Sequence, residues 1–200
     1  KSSAMNLKKI LSESDDLIIE NINTLTILRQ LLYVIQVLCL RQVNEDNSKV
    51  RKVDKEDKQV NKNCINFIVG CGIRDRIEQK LRLLLQVVNK KTVFEENSKD
   101  MAQRQIQFRK KQECTSLIQC YGALLSGAND ISKFLDTTSL AMKIIQIIGQ
   151  KEIIDPLIMH GACDFTYFLL LNPQISADEG KFNIVAKQLQ NFRCLLPFLF

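Results

Sequence analysis

The sequence has no tryptophan, one histidine, three prolines and seven glycines among its 200 residues. Proteins built from tight turns and sheets use glycine and proline more heavily, so this composition favours long helices. Three tyrosines and no tryptophan also leave few stacking platforms for single-stranded nucleic acid. Long hydrophobic runs are absent too, because Arg29 and Gln36 interrupt even the most apolar segment, 25–40. Nothing approaches the ~20 apolar residues that span a bilayer, and we expect no transmembrane segment.

The usual catalytic motifs are missing as well. A Ser-His-Asp arrangement could be built only around His160, and the sequence contains no Gly-x-Ser-x-Gly turn for its nucleophile. Phosphate-loop, dinucleotide, zinc-protease and calcium-loop patterns are also absent. His160 is explained more simply as a cap near a helix end, and the neighbouring Cys163 as a core residue. We therefore predict a non-enzymatic protein with no cofactor and no metal.

Cysteine is present in an odd number, seven, and no two form a C-x-x-C pair. Most of these cysteines stand among isoleucine, leucine and phenylalanine, where a free thiol behaves as a small hydrophobic side chain. We predict reduced core cysteines and therefore an intracellular, cytoplasmic protein.

Apolar spacing at i, i+3, i+4 and i+7 predicts helices along nearly the whole chain and no strand. A charged segment at about 44–63 has few apolar residues, so we expect a flexible loop there. The rest fits one helical domain over 1–200. Because the chain begins at Lys1 and ends on the apolar residues 194–200, we expect it to be a fragment of a longer protein.

Particular residues predict where the helices begin and end. Asp155-Pro156 is typical of a helix start, Asn172-Pro173 of a stop, and Ser176 with Glu179 of a capping box. Thr137 or Thr138 is the expected cap of a helix over 140–148. The other predicted helices lie at 25–43, 74–91, 100–126, 131–135, 156–160, 163–171 and 177–196. We expect the first of these to be central, since it is apolar on more than one side.

Two glycines, Gly72 and Gly161, occupy similar surroundings, each with an apolar stretch before it and a helical apolar pattern after it. Glycine ends helices because it adopts positive φ, so each predicts a sharp turn between a short helix and a longer one. They stand 89 positions apart. This separation is about two periods of a ~40–47-residue helical repeat.

These features resemble the armadillo and HEAT families of helical repeats. Residues 139–149 resemble the middle helix of an armadillo repeat, 150–160 the link, and 163–171 the long third helix; 68–88 and 101–125 resemble further copies. The resemblance implies an all-α, armadillo-like right-handed superhelix. The sequence resembles formin regulatory regions and the solenoid portions of intracellular calcium-release channels equally well. The alternative is an irregular helical bundle, since glycine closes many unrelated helices.

The resemblance implies an interaction scaffold that binds a partner segment along a groove. Candidate groove residues are the polar residues of the long helices: Arg74, Arg76, Gln79, Arg104, Gln107, Arg109, Lys110, Lys111, Asp164 and Tyr167. The basic residues among 104–111 could receive an acidic segment of a partner protein. An alternative function is a structural subunit or fragment of a large cytoskeletal or channel-associated assembly. A nucleic-acid-binding helical domain is a third interpretation, raised by the net charge of +6 and disfavoured by the missing aromatic platforms.

Overall fold

The computed structural model describes residues 22–47, 63, 66–68, 70–88, 101–148 and 155–190. No strand occurs within these ranges, and the predicted all-α class is confirmed. The expected tail at 194–200 and most of the charged segment at 44–63 lie outside the described residues. The helices are α1 (Ile22–Asn47), α2 (Ile73–Val88), α3 (Met101–Ser126), α4 (Leu140–Ile147), α5 (Pro156–Leu170), α6 (Pro173–Ser176) and α7 (Glu179–Gln190), with a 3₁₀ turn at Ile131–Phe134.

Short polar side chains begin these helices, although not always the predicted ones. Asp155 Oδ1 accepts a hydrogen bond from the Leu157 amide at 2.9 Å and begins α5, as predicted. For α4 the cap is Ser139, whose hydroxyl accepts from the Met142 amide at 3.2 Å, so Thr137 and Thr138 were the wrong residues. The Lys181 amide of α7 donates to Asp178 Oδ1 at 3.1 Å, so Asp178 replaces the predicted Ser176.

The two glycines that look alike in the sequence have different roles. Gly72 has φ of 69° and follows a turn in which the Cys71 amide donates to the Phe67 carbonyl at 3.0 Å. α2 begins at the next residue, so the predicted turn at Gly72 is confirmed. Gly161 lies inside α5, which continues without interruption to Leu170. The prediction of a turn at Gly161 was therefore wrong.

Close contact between α3 and α5 explains why glycine stands at position 161. A Cβ atom on Gly161 would lie 3.1 Å from Thr115 Cγ2 of α3. On the opposite helix, a Cβ on Gly122 would lie 2.9 Å from the Cα atom of Phe165. The Thr115 hydroxyl also donates to the Leu157 carbonyl of α5 at 3.0 Å. At Gly122 the helices are thus too close for any added side chain without a backbone shift, and at Gly161 an added Cβ would require Thr115 to move by a few tenths of an ångström.

α3 and α5 run in the same direction with a nearly constant register. Thr115 contacts Leu157, Gln119 contacts Asp164 and Leu125 contacts Asn172, pairs separated by 42, 45 and 47 residues. A similar separation joins α4 to α7, where Gln146 donates to Gln188 at 3.4 Å across 42 residues. Hydrogen bonds between residues 42–47 positions apart therefore join α3 to α5 and α4 to α7.

α2 packs against α3 in the opposite direction. Glu78 accepts a hydrogen bond from the Tyr121 hydroxyl at 3.3 Å, and Lys80 Nζ lies 3.6 Å from Glu113 Oε1. The Lys80 and Glu113 side chains are only 4% and 1% exposed. Removing one member of such a buried pair typically costs about 3–5 kcal/mol, because the other charge loses its partner. The pair therefore ties α2 to the middle of α3.

The central helix is α3, not α1 as predicted. α3 contacts α1, α2 and α5, and its second half is almost wholly buried. Among the side chains of α1 that the structure describes, 26–40, one stripe is buried, and Ile27 and Val34 on another side are 50% and 53% exposed. α1 also continues to Asn47, so 44–47 belong to a helix and not to the predicted loop. The buried stripe of α1 is Leu28, Leu32, Ile35 and Cys39.

Asn172 joins the end of α3 to the chain that follows α5. Its side chain is buried, and Nδ2 donates to the carbonyls of Leu125 and Ala128 at 2.8 and 2.9 Å. Its Oδ1 accepts from the Gln174 amide at 2.9 Å and caps α6. The side-chain amide of Asn172 thus provides hydrogen-bond partners for two backbone carbonyls at the end of α3 and for one backbone amide at the start of α6.

We predict that Gly122→Ala destabilises the protein by about 1–3 kcal/mol, because the added methyl would meet the backbone of Phe165. Gly127→Ala is the matched control, since a Cβ there meets nothing within 4 Å. We expect the control to change stability by less than about 0.5 kcal/mol. Urea denaturation followed by circular dichroism measures both. Equal effects of the two substitutions would contradict the close packing of α3 on α5.

We also predict that Asn172→Asp costs about 2–4 kcal/mol, because it replaces a buried donor with a carboxylate facing two carbonyl oxygens. The same chemical change at the exposed Asn129 should be nearly neutral. The free energies of unfolding of both variants, measured at pH 7, test this. A fully stable Asn172→Asp protein would show that the two hydrogen bonds contribute nothing.

Candidate functional site

The open side of α3 forms the floor of a groove. Between residues 113 and 126 every side chain of α3 is buried except Ser116 and Gln119. α1 flanks this strip on one side and α5 on the other, because both helices pack against α3. We call the surface that crosses the three helices the α1–α3–α5 groove.

A cleft of about 350 Å³ opens between α1 and α3 at this surface. Its volume lies at the small end of the range of about 300–1,000 Å³ that is typical of ligand pockets. Tyr33, 64% exposed, stands on its α1 wall. The cleft is lined by Thr26, Arg29, Gln30, Leu32, Tyr33, Gln36, Ser116 and Gln119.

A row of polar groups crosses the groove from α1 to α5. Arg29 lines the cleft beside Gln119. The Gln119 side chain donates from Nε2 to Asp164 Oδ2 at 2.6 Å, which spans α3 and α5. The same Asp164 oxygen lies 3.4 Å from His160 Nδ1. His160 therefore pairs with a carboxylate one turn away inside α5, and it does not cap a helix end as predicted.

Comparisons with protein-family models, with curated proteins and with solved structures find no match to this chain. A function therefore has to be inferred from the groove itself.

Two further properties bear on the kind of site. In the described ranges, no helix has the length and apolar character required to cross a membrane. The same part of the chain holds no group of three or more histidine, cysteine, aspartate or glutamate side chains arranged to bind a metal ion.

The predicted groove residues divide into two groups. Asp164 lies in the groove, and Tyr167, one turn further along α5, is 61% exposed. Arg74 of α2 instead lies 3.7 Å from Asp130 and 5.2 Å from the centre of the Phe134 ring. Arg76 and Gln79 hydrogen-bond to each other at 3.1 Å on the same helix. α2 is not one of the three helices that form the groove, so these side chains hold structure instead of lining it.

The basic residues of α3 do not all lie on one side of the helix. Successive helical residues project about 100° apart, so Arg109, Lys110 and Lys111 spread over more than half of the helix circumference. Lys111 forms an ion pair with Asp155 of α5 at 2.8 Å. Arg104 lies seven residues before Lys111 and Gln107 four before it, so both share a side of α3 with Lys111. The acidic-segment site at 104–111 stays a prediction.

Sequence reasoning missed most of the residues that line the cleft. Arg29, Tyr33 and Gln36 follow the spacing i, i+4, i+7 and interrupt an otherwise apolar helix. This spacing places them on one side of α1, which is a readable sign of an open polar face. Ser116 and Gln119 give a weaker signal of the same kind, because they are polar and three residues apart in the mostly apolar second half of α3.

The five described cysteines are all free thiols, and Cys39, Cys114 and Cys120 are buried. Burial raises the pKa of Cys39 to about 12 and that of Cys114 to about 12, the latter aided by the neighbouring Glu113. Burial also raises the pKa of Cys120 well above its usual value. These three thiols confirm the predicted core role, whereas Cys163 is exposed.

We predict that N-ethylmaleimide at pH 8 modifies the exposed Cys163 in the folded protein, slowly because partial burial and Asp164 raise its thiol pKa, and the three buried cysteines only in guanidinium. Peptide mass spectrometry measures each site.

The raised pKa values of the buried thiols also predict a pH dependence of stability. The unfolded chain loses the thiol protons at lower pH than the folded chain does, so the free energy of unfolding should fall as pH rises from 9 towards 12. Rapid native modification of Cys114 would contradict the burial that raises its pKa.

Proposed function

We propose that this protein is a non-enzymatic scaffold that binds a segment of a partner protein along the α1–α3–α5 groove. The observation that carries the proposal is the open strip of Ser116 and Gln119 between two flanking helices, with a cleft beside it. Most of α3 is buried there, yet this strip is left polar and accessible. A surface of this shape offers hydrogen bonds and a side-chain pocket to a bound segment, as in other grooves formed by helices.

The repeat-like arrangement supports this function. The 3₁₀ turn at Ile131–Phe134 is followed by α4 and α5, and α6 begins 42 residues after that turn and leads into α7. Contacts across 42–47 residues join the corresponding helices. This period falls in the ~40–47-residue range of armadillo and HEAT repeats. We propose an armadillo-like right-handed superhelix in which α1, α3 and α5 form one row.

A binding role also fits the chemistry of the groove better than catalysis does. Its one carboxylate with a neighbouring histidine, Asp164, already accepts a hydrogen bond from Gln119. No third group aligns a nucleophile with this pair among the described residues. An intracellular location stays a prediction, which the free thiols support.

A second candidate function, a structural subunit of a larger assembly, is favoured by one observation. Ile27, Val34 and Val37 are 50%, 53% and 43% exposed on a side of α1 away from its buried stripe. Neighbouring exposed apolar side chains are typical of surfaces that another protein covers. In this interpretation the partner would lie on the outer flank of α1 and not in the groove.

One experiment separates the two functions. A photo-reactive benzoylphenylalanine is placed in turn at Tyr33 in the groove, at Ile27 on the outer flank of α1, and at the exposed Lys143 of α4 as a control. We expect cross-linking to one partner from Tyr33 and little from the other two positions. A second substitution, Gln119→Arg, should abolish this cross-link while the circular dichroism spectrum stays unchanged. Cross-linking from Ile27 alone would favour the assembly subunit and contradict the groove.

A further inference from the structure

We infer that the α1–α3–α5 groove selects an extended segment with one acidic and one basic side chain about five or six residues apart. The inference rests on the proposed function and adds the chemistry of the segment. It follows from the opposite charges at the two ends of the polar row, Arg29 and Asp164, and from the uncharged groove floor between them.

The α1 end of the row is positive. Arg29 is exposed and lines the cleft, where every other lining side chain is uncharged. Within the described residues, no ion pair involves Arg29. An arginine offers a planar fork of donors that fits a carboxylate, so the segment's acidic side chain belongs at this end.

The α5 end of the row is negative. Asp164 is held in place by the 2.6 Å hydrogen bond from Gln119, which fixes its carboxylate at the groove edge. Its side chain remains 32% exposed. An ionised carboxylate accepts about four hydrogen bonds, so Asp164 can also receive a lysine or arginine of the segment. The basic side chain of the segment therefore belongs here.

Helix packing sets the spacing between the two charges. Neighbouring packed helices lie about 8–10 Å apart, so the path from α1 over α3 to α5 measures about 16–20 Å. An extended chain advances about 3.3 Å per residue and covers this path in about five or six residues. The floor between the ends is formed by Ser116 and Gln119, so intermediate side chains are not selected by charge. The cleft beside Arg29 receives an uncharged side chain next to the acidic one.

The test uses a phage library of random 12-residue segments, selected on the full 200-residue chain. We expect enriched sequences to carry one acidic and one basic residue five or six positions apart, in either order, because an extended segment can enter a groove from either end. Lys143→Glu, a charge reversal on an exposed residue of α4, is the control and should select the same pattern.

Charge reversal at each end should change the pattern in a defined way. Arg29→Glu makes both ends negative, so its enriched segments should carry two basic residues at the same spacing. Asp164→Lys makes both ends positive and should select two acidic residues. If Asp164→Lys does not fold, Asp164→Asn should keep the acidic preference and lose the basic one. Segments selected on the parent chain should bind Arg29→Glu about tenfold more weakly.

The outcomes distinguish this inference from the proposed function. If the enriched segments lose binding to the Gln119→Arg variant but carry no acidic and basic residue at the expected spacing, the inference is overturned and the groove remains a binding site. An unchanged charge pattern with Arg29→Glu would also overturn the inference. If no segment sensitive to Gln119→Arg is enriched, both the inference and the groove function fail.

Discussion

The backbone contact between α3 and α5 is the constraint on which the rest of the structure depends. Gly122 and Gly161 leave no side chain between the helices, so their backbones approach closely enough for Thr115 to reach the Leu157 carbonyl. This contact fixes the register of the two parallel helices. The register in turn places Gln119 beside Asp164, and Asn172 beneath the end of α3. The polar row of the groove is therefore a consequence of how two helices pack.

A buried central helix explains why the groove is narrow and polar. α3 contacts α1, α2 and α5; Lys80 of α2 pairs with its buried Glu113, and the ring of its Tyr121 stacks on Phe165 with centroids 5.7 Å apart. Only the strip of Ser116 and Gln119 meets solvent in this half of the helix. Because both residues are uncharged, the charged groups at this surface, Arg29 and Asp164, come from the flanking helices.

Different parts of the sequence differed in how well they predicted the structure. The start of α5 at Asp155-Pro156 and the turn at Gly72 were predicted correctly, because capping and positive φ are local properties. The prediction for Gly161 was wrong, because a glycine at a helix end and a glycine at a helix crossing have the same local sequence pattern. Arg74 was assigned to a groove because it is polar and helical, yet it lies on α2, where it contacts Asp130, a residue distant in the chain.

By itself, the sequence determined the all-α class, the approximate positions of the long helices and the core character of three of the five described cysteines, since these follow from composition and periodicity. The tertiary structure alone decided which helix is central, which glycine is a contact and which polar residues share a surface. The physical reason is that these properties depend on pairs of residues 42–47 positions apart, joined across a helix interface. Local pattern sets the elements, and packing at the Gly122 and Gly161 contacts sets the groove.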